Sequence, residues 1–221
     1  MKMHSNHNSI QALVYTSLFT ALIAAGAYIA VPIGPVPLVM QNFFVLLAGL
    51  VLGPKMGTTA VLTYLVIGTL GIPVFAGGTG GPAHFLGPTG GYLLGYVPAV
   101  FITGLIANKS RRKPSPESAE HPLHNHQHDG KQKERVRAHE SERETKGFSF
   151  PLRESAAAAA GIIIIYAAGV PWLAWRLGFS FPAAVTAGML PFLPGDVLKA
   201  AAAVITARAI SARVKGGLFS V

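Results

Sequence analysis

The chain has no cysteine, and outside one segment it has almost no charge. Without cysteine it forms no disulfide, offers no thiolate to a metal ion and has no cysteine nucleophile. Charged residues are 12% of the 221 residues, whereas soluble proteins average about 25%. Residues 109–154 hold 11 of the 18 Lys and Arg residues and 8 of the 9 Asp and Glu residues. The rest has a single acid, Asp196, and cannot cover a soluble globule with polar surface, so the composition predicts a membrane protein.

Catalysis and nucleic-acid binding are both disfavoured by the small number of ionisable groups. With one acid outside the polar segment, there is no pair of carboxylates for acid–base catalysis. His84 is the lone histidine in the apolar regions, which further disfavours an intramembrane enzyme. The net charge of +9 is explained in a membrane protein by basic residues that flank the cytoplasmic ends of the spans. We therefore expect neither an enzyme nor a nucleic-acid partner.

Six apolar segments are candidates to cross the membrane. A helix needs about 20 mostly apolar residues to do so. Prolines and glycines divide the apolar sequence, and the sequence therefore predicts an all-α integral membrane protein with six transmembrane helices in one domain. The spans lie at about residues 10–31, 38–52, 56–70, 92–107, 156–177 and 189–210. Residues 109–154 form a polar insertion between the fourth and fifth spans, which we expect to be disordered and cytoplasmic.

The basic residues also predict the orientation of the spans, because Lys and Arg collect in cytoplasmic loops. With both termini inside, 16 of the 18 basic residues lie on the cytoplasmic side, and only Arg176 and Lys199 lie outside. We therefore expect an N-in, C-in protein. The loops at 32–41, 71–91 and 178–196 then face outwards, which predicts a site open to the exterior.

Asp196 and Lys199 are three residues apart and share one face of a predicted helix. Pro194 and Gly195 suit a helix start, so the carboxylate would lie in the first turn, where the helix dipole favours an anion. An ionisable residue at membrane depth is costly and marks a functional site by default. Ligand binding is one interpretation. The alternative is a private ion pair that only neutralises both charges, and a third interpretation is a pair that is partnered when empty and shared with the ligand when full.

A glycine-rich stretch precedes the fourth span. Six glycines between positions 77 and 91, besides Gly87, allow the backbone to approach a ligand closely, and Thr89 and Tyr92 add hydroxyl groups. The stretch has no lysine and no G-x-x-x-x-G-K-[ST] pattern, which argues against a phosphate-binding loop. The alternative is a flexible connector, although two prolines stiffen it.

Two further groups have a functional and a structural interpretation. Gln41 and Asn42 place two amides in an apolar span, where they would bind a neutral ligand or join neighbouring helices. Ala21 and Ala25 form a small-xxx-small pair on the first span, which would allow close approach of a partner protein or of a helix of the same bundle.

The polar insertion contains a group of histidines that could in principle bind metal. They are His121, His124, His126 and His128. The surrounding residues are typical of a solvated, disordered segment, and we expect no cofactor and no metal. Trp172 and Trp175 lie near the outer end of the fifth span, where tryptophan typically anchors a helix at the membrane interface, although one of them would be free to line a site.

Five ordered segments resemble the BioY family, the biotin-binding S components of energy-coupling factor (ECF) transporters. They are residues 43–49 (FFVLLAG), 53–54 (GP), 87–95 (GPTGGYLLG), 169–173 (GVPWL) and 192–199 (FLPGDVLK). The resemblance covers about residues 10–107 and 156–214, and the ordered set is specific although a single G-P or G-G pair is not. The insertion at 109–154 departs from the family, whose members usually have a much shorter loop there.

The resemblance implies a six-helix, ECF S-component-like bundle in the cytoplasmic membrane of a bacterial-type cell. It implies capture of biotin near the outer face and delivery across the membrane together with a transmembrane T component and two ABC ATPases. The small-residue face at Ala21 and Ala25 would be the docking surface. This chain has no nucleotide motif of its own, so ATP hydrolysis would occur in the partners. An alternative of another class is a self-sufficient carrier or channel for biotin or another small polar solute.

The ligand's chemistry suggests which side chains would bind it. Biotin has a ureido group with two N–H donors and a carbonyl acceptor, an apolar bicycle and a carboxylate tail. A carboxylate such as Asp196 suits the N–H donors, and the Lys199 ammonium suits the carbonyl or the tail. Further candidates for ligand contact are Gln41, Asn42, Phe75, Thr89, Gly90, Gly91, Tyr92 and Trp172. The glycine-rich stretch at 73–91 is the candidate lid.

Overall fold

The computed structural model describes residues 3–108 and 152–213. These residues form six α-helices, one two-stranded sheet and one 3-10 helix. In chain order they are α1 (Met3–Tyr28), β1 (Ala30–Ile33), β2 (Val36–Val39), α2 (Gln41–Thr69), the 3-10 helix (Pro82–Leu86), α3 (Gly90–Asn108), α4 (Leu152–Leu177), α5 (Phe181–Gly188) and α6 (Leu193–Arg213). Most of the predicted insertion lies outside the described residues, as do His121, His124, His126 and His128.

Several described helices are long and apolar enough to cross a membrane. Four pass on their own, namely α1, α2, α3 and α4. The short α5 and the longer α6 pass together as a bent pair, with an angle of 54° between them. These lengths agree with a multi-pass membrane protein. The number of crossings and the N-in, C-in orientation stay predictions.

The helix α2 turns back on itself at Gly53 and so contains both the second and the third predicted span. Gly53 has φ 79° and ψ −174°, a conformation that side chains disfavour, and Pro54 has no N–H to continue the helix. A Cβ on Gly57 would lie 3.1 Å from the carbonyl oxygen of Ala48. Along a straight helix, nine residues would separate these positions by about 13 Å. Residues 41–52 and 54–69 are therefore two antiparallel arms.

Small residues bring α2, α3 and α4 into close contact. A Cβ on Gly49 of α2 would lie 2.9 Å from the Val100 carbonyl oxygen of α3. A Cβ on Gly161 of α4 would lie 2.4 Å from Oγ1 of Thr103, and this hydroxyl donates to the Ala157 carbonyl at 3.2 Å. Close helix approach through small residues, with occasional hydroxyl hydrogen bonds, is typical of membrane bundles.

A β-hairpin replaces the loop that the sequence predicts between the first two spans. Its strands pair antiparallel, with Ile33 opposite Val36 and Pro32 opposite Pro37. Gly34 has φ 66°, which suits the first position of a two-residue turn. Because hydrogen-bonded and non-hydrogen-bonded pairs alternate outwards from such a turn, the two prolines fall at a non-hydrogen-bonded pair and their missing N–H groups break no ladder bond.

The hairpin, the 71–89 connection and α5 gather at one end of the bundle, which we call the outer end. The C-terminus of α1 is tied there, because the Tyr28 hydroxyl donates to the Pro73 carbonyl and the Gly77 N–H to the Ala27 carbonyl. Both ends of α2, the start of α3, the end of α4 and the start of α6 reach the same end. The charge distribution predicts that this end faces the exterior.

The element boundaries differ from the predicted spans at the outer end. The helix of the first span ends at Tyr28 rather than near residue 31, and that of the second begins at Gln41 rather than near residue 38, because residues 30–39 form the hairpin. The helix of the fifth span begins at Leu152 and so includes the last residues of the predicted insertion. The helix of the sixth span begins at Leu193 rather than near residue 189 and continues to Arg213, and the short helix α5 precedes the predicted span.

We predict that Gly104→Ala destabilises the protein. A Cβ there would lie 2.5 Å from the Gly53 carbonyl carbon and the Pro54 nitrogen, both backbone atoms of the α2 turn that cannot swing aside. Overpacking of this kind costs roughly 1–3 kcal/mol. The measurement is equilibrium unfolding in detergent, with Gly195→Ala as control, because a Cβ there meets only Leu38 Cδ1 at 3.7 Å. Equal stabilities for the two variants would contradict the close approach of α3 to this turn.

Candidate ligand-binding site

A cavity of about 600 Å³, which includes its open mouth, lies at the outer end of the bundle. Its wall is formed by β2, the first arm of α2, the 71–89 connection, α3, α4 and the region from α5 to α6. The polar residues in the wall are Gln41, Asn42, His84, Thr89, Tyr92, Tyr96, Tyr166, Asp196 and Lys199. A mostly apolar pocket with a few converging polar groups is typical of a small-molecule site.

The Asp196 carboxylate is the centre of the polar network. It is 2% exposed and accepts hydrogen bonds from three side chains on three helices. Tyr166 donates its hydroxyl to Oδ2 at 2.6 Å, and Asn42 donates Nδ2 to the same oxygen at 3.0 Å. Lys199 donates Nζ to Oδ1 at 2.9 Å. Three donors, one of them a cation, offset the cost of burying the charge.

The Lys199 ammonium joins α6 to the β-hairpin. Besides its bond to Asp196, Nζ donates to the carbonyl oxygen of Val39 at 2.7 Å. Val39 pairs with Ala30 at a non-hydrogen-bonded position of the hairpin, so its carbonyl is free to accept. An ammonium has three N–H donors, and these contacts use two of them. One donor remains for a ligand in the cavity.

A second hydrogen-bonded pair fixes the Asn42 amide. Tyr96 of α3 donates its hydroxyl to Asn42 Oδ1 at 2.7 Å, so that the amide nitrogen faces Asp196. Tyr92, four residues earlier on the same face of α3, donates to the Gly188 carbonyl at 2.8 Å. The polar wall is thus connected from α3 through α2 to α6.

Two buried polar atoms next to this network make no hydrogen bond of regular geometry among the described residues, although their side chains interact with each other. They are Nε2 of Gln41, in the cavity wall, and the hydroxyl of Tyr64 behind it. Gln41 is 2% exposed, and Tyr64 is fully buried. A buried donor without an acceptor costs about 1–3 kcal/mol, which an acceptor in the cavity would recover. The Gln41 amide is therefore well placed to bind a ligand.

Seven of the ten predicted ligand-binding residues line this cavity. They are Asp196, Lys199, Gln41, Asn42, Phe75, Thr89 and Tyr92. The other three, Gly90, Gly91 and Trp172, are not part of the wall but pack against one another behind it. Because the two glycines have no side chain, α3 can approach α4 closely here: a Cβ on Gly91 would lie 2.3 Å from Trp172 Cβ.

The sequence reasoning missed the remaining wall residues. They are Val36, Pro37, Leu38, Val39, Ala76, His84, Leu93, Tyr96, Tyr166, Gly188 and Phe192. One of them had a signal, since Tyr96 follows Tyr92 by four residues and so shares its helix face. Tyr166 follows four isoleucines and looks like lipid-facing or core sequence. The hairpin residues had none, because proline-rich strands are read as loops.

The other predicted sites lie away from the cavity. Ala21 and Ala25 are exposed on α1, a helix of which little is buried in the bundle. Within residues 3–108 and 152–213, no three His, Asp or Glu side chains are grouped as metal ligands would be. Trp175 is 72% exposed at the outer end of α4, where an interface anchor would lie.

Sequence comparison places this chain among transport proteins by similarity. The family model described as "BioY family" matches residues 1–216. A probable biotin transporter BioY of Pyrococcus horikoshii is 42% identical over 191 residues, which are 86% of this chain and 90% of the relative. A biotin transporter BioY of Rhizobium etli is 36% identical over 205 residues, which are 91% of this chain and 94% of the relative.

A solved structure shares the fold. It is the crystal structure of the S-component for biotin from an ECF-type ABC transporter, and it matches with a TM-score of 0.73 at 27% identity. The match covers 96% of this chain and 96% of that one. The all-α membrane fold predicted from the sequence is therefore confirmed.

We predict that Asp196 and Lys199 are strongly coupled in the ligand-free protein. Asp196→Asn leaves Lys199 without a counter-ion, and Lys199→Met leaves the carboxylate without its cation. The side chain of Asp196 is 3% exposed and that of Lys199 is 10% exposed. Each single change should cost about 3–5 kcal/mol, because it leaves a buried charge unpaired. The double variant should lose clearly less than the sum, as measured by equilibrium unfolding without ligand. Additive losses would show that the two charges do not stabilise each other.

Proposed function

Because the chain belongs to the BioY family, we propose that it binds biotin at the outer-end cavity as the S component of an ECF transporter. The observation that carries the proposal is the buried Asp196–Lys199 pair in the wall of an outer-end cavity, beside the Gln41 amide, whose nitrogen makes no regular hydrogen bond among the described residues. A polar but uncharged bicyclic head group fits such a site, because it presents both donors and an acceptor.

The polar contacts of biotin are assigned by the hydrogen-bonding capacity that remains. A carboxylate has about four lone-pair sites, and three of those on Asp196 are occupied. The free site is on Oδ1, and a ureido N–H would take it. The remaining N–H of Lys199 and the amide of Gln41 both seek an acceptor, and the ureido carbonyl supplies one. The contacts with Asp196 and Lys199 would be charge-assisted hydrogen bonds, and the contact with Gln41 would lie next to this ion pair.

The tail carboxylate of biotin is the weaker candidate for Lys199. A second carboxylate on the same ammonium would face Asp196 at short range. Two like charges about 4 Å apart repel by roughly 4 kcal/mol at an effective dielectric constant of about 20. The neutral ureido carbonyl avoids this repulsion, so we assign it to Lys199 and place the tail towards the mouth of the cavity.

Aromatic and aliphatic side chains would pack against the apolar bicycle. Phe75 is 1% exposed and Phe192 is 4% exposed, and both are in the cavity wall together with Leu93. Thr89 and Tyr92 add hydroxyl groups on the side of α3. The 73–91 stretch contributes Phe75, Ala76, His84 and Thr89 to the wall, which supports its role as a lid.

Delivery across the membrane would need partners. We propose a T component and two ABC ATPases, with the exposed small residues Ala21 and Ala25 of α1 as the docking surface. Small residues at this surface would let a partner helix approach the α1 backbone closely. The wall residues of the cavity belong to other elements, so docking and biotin binding are separable by mutation.

We predict tight, saturable biotin binding by the purified full chain and much weaker binding by Asp196→Asn. Loss of a hydrogen bond to a charged group costs about 1.5–3 kcal/mol, or roughly 10- to 100-fold in Kd. The measurement is a titration in detergent. Thr186→Ala is the control, because Thr186 is exposed and donates within its own helix to Pro182. Unchanged affinity in Asp196→Asn would remove this residue from the site, and a folded wild type that binds no biotin would refute the proposal.

Biotin methyl ester tests the assignment of Lys199 in the same titration. If Lys199 contacts the ureido carbonyl, the wild type binds the ester almost as tightly as biotin. Lys199→Met should then weaken both ligands by the same factor. The contrary result has two parts: the wild type binds the ester much more weakly than biotin, and Lys199→Met binds both with similar affinity. That result would assign Lys199 to the tail carboxylate.

We predict that Ala21→Leu/Ala25→Leu abolishes uptake without changing biotin affinity. Two larger side chains would hold a partner helix away from α1, whereas the cavity lies elsewhere. The measurement is biotin uptake into vesicles that contain the T component and the ATPases. The matched control is Ala201→Leu/Ala209→Leu, which enlarges two exposed alanines of α6. Normal uptake by the α1 variant, or uptake by the wild type without partners, would contradict this docking model.

A further inference from the structure

Two donors from α4 attach the end of the 3-10 helix and the residue after it; we call residues 82–87 the 82–87 turn. Trp172 donates Nε1–H to the Gly87 carbonyl at 3.0 Å, and Arg176 donates Nε–H to the Leu86 carbonyl. The two side chains are four residues apart and so lie on one face of α4. The turn is 85 or more residues away in sequence, so these are tertiary contacts.

The close approach that these bonds need depends on two glycines at the start of α3. A Cβ on Gly90 would lie 2.0 Å from the Phe85 carbonyl oxygen and 3.0 Å from Trp172 Nε1. A Cβ on Gly91 would lie 2.3 Å from Trp172 Cβ. Any side chain at either position would force the indole and the turn apart. The glycines therefore make room for the indole to reach its acceptor.

Apart from the packing of its His84 and Phe85 rings, the 3-10 helix has few other attachments to the described residues. None of its residues is buried, and the bond from the His84 N–H to the Gly81 carbonyl is long, at 3.4 Å. Its N-terminal side is held by the bond from the Gly81 N–H to the Gly68 carbonyl of α2, at 2.7 Å. The bonds from α4 hold the opposite end.

The position of this turn sets one side of the cavity. His84, from the 3-10 helix, and Thr89, two residues after Gly87, both line the wall. The rings of His84 and Phe85 pack on Phe75 with centroid distances of 5.4 and 5.9 Å, and Phe75 is itself in the wall. A displaced turn would move all three wall residues.

We propose that Trp172 and Arg176 are positioning residues for ligand binding. They clamp the 82–87 turn against α4 and thereby slow the release of ligand, without contacting it. The inference rests on the proposed function in one respect only, which is that biotin is the ligand used to test it. A clamp on a wall that closes over bound ligand affects dissociation more than association, because the loosened wall still admits ligand.

The test is the dissociation rate of biotin from the full chain in detergent. Trp172→Phe and Arg176→Gln should each raise koff by roughly 3- to 10-fold, as expected for loss of one hydrogen bond, and leave kon within about twofold. Trp175→Phe is the matched control, since it removes an indole N–H of the neighbouring, 72% exposed ring. Arg176→Lys keeps a charged donor and should restore most of the wild-type koff.

Several outcomes would overturn the clamp. They are an unchanged koff in both variants, an equal change in Trp175→Phe, or a fall in kon that matches the rise in koff. Amide hydrogen exchange of the ligand-free protein gives an independent readout: residues 82–89 should exchange faster in Trp172→Phe and Arg176→Gln but not in Trp175→Phe. If the wild type binds no biotin, the proposed function fails, and the exchange result alone decides the clamp.

Discussion

Burying the Asp196 carboxylate in an apolar bundle is costly, and the outer end of this protein is arranged around offsetting that cost. The charge is compensated by donors from α2, α4 and α6, so three helices converge on one group. Through Asn42 the network extends to Tyr96 of α3, and through Lys199 it extends to the carbonyl of Val39 in the hairpin. A single electrostatic requirement thus holds together the five elements that form most of the cavity wall.

Such a network needs helices that approach closely, and glycines provide this. A Cβ on Gly169 would lie 2.3 Å from the ring of Tyr92, and one on Gly188 would lie 2.4 Å from its hydroxyl. On the opposite side, a Cβ on Gly68 would lie 2.3 Å from the ring of Phe75. The aromatic rings of the wall therefore rest on backbone rather than on side chains. In lipid, where association gains little from the hydrophobic effect, such packing is a principal source of stability.

How much was predictable from the sequence depends on whether the signal was local. The family, the membrane class and the pairing of Asp196 with Lys199 follow from the ordered motifs, from the scarcity of charge and from the three-residue spacing, all of which are visible in the linear sequence. The hairpin was not predictable as a pair of strands, because its prolines are tolerated only at non-hydrogen-bonded positions that register alone defines. Tyr166 was not predicted, because it follows four isoleucines and the segment has the pattern of lipid-facing or core sequence. Trp172 was expected in or near the site, but its acceptor is a backbone carbonyl 85 residues earlier, and only the tertiary structure shows that the indole lies behind the wall.

Because the protein already satisfies most of the hydrogen-bonding capacity of Asp196 and Lys199, these two charged groups need not contribute most of the affinity for a ligand. Asp196 and Lys199 are largely satisfied by protein groups, so a ligand gains only the hydrogen-bonding capacity that remains on each of them. The Gln41 amide nitrogen, in contrast, is buried with no hydrogen bond of regular geometry among the described residues, and its interaction with Tyr64 offsets only part of its desolvation cost. A ligand acceptor that reaches Gln41 recovers cost of this kind, whereas a ligand donor that replaces an existing donor at Asp196 only exchanges one bond for another. The ion pair therefore shapes and orders the cavity, and the Gln41 amide beside it would add binding free energy for a ligand whose acceptor reaches it.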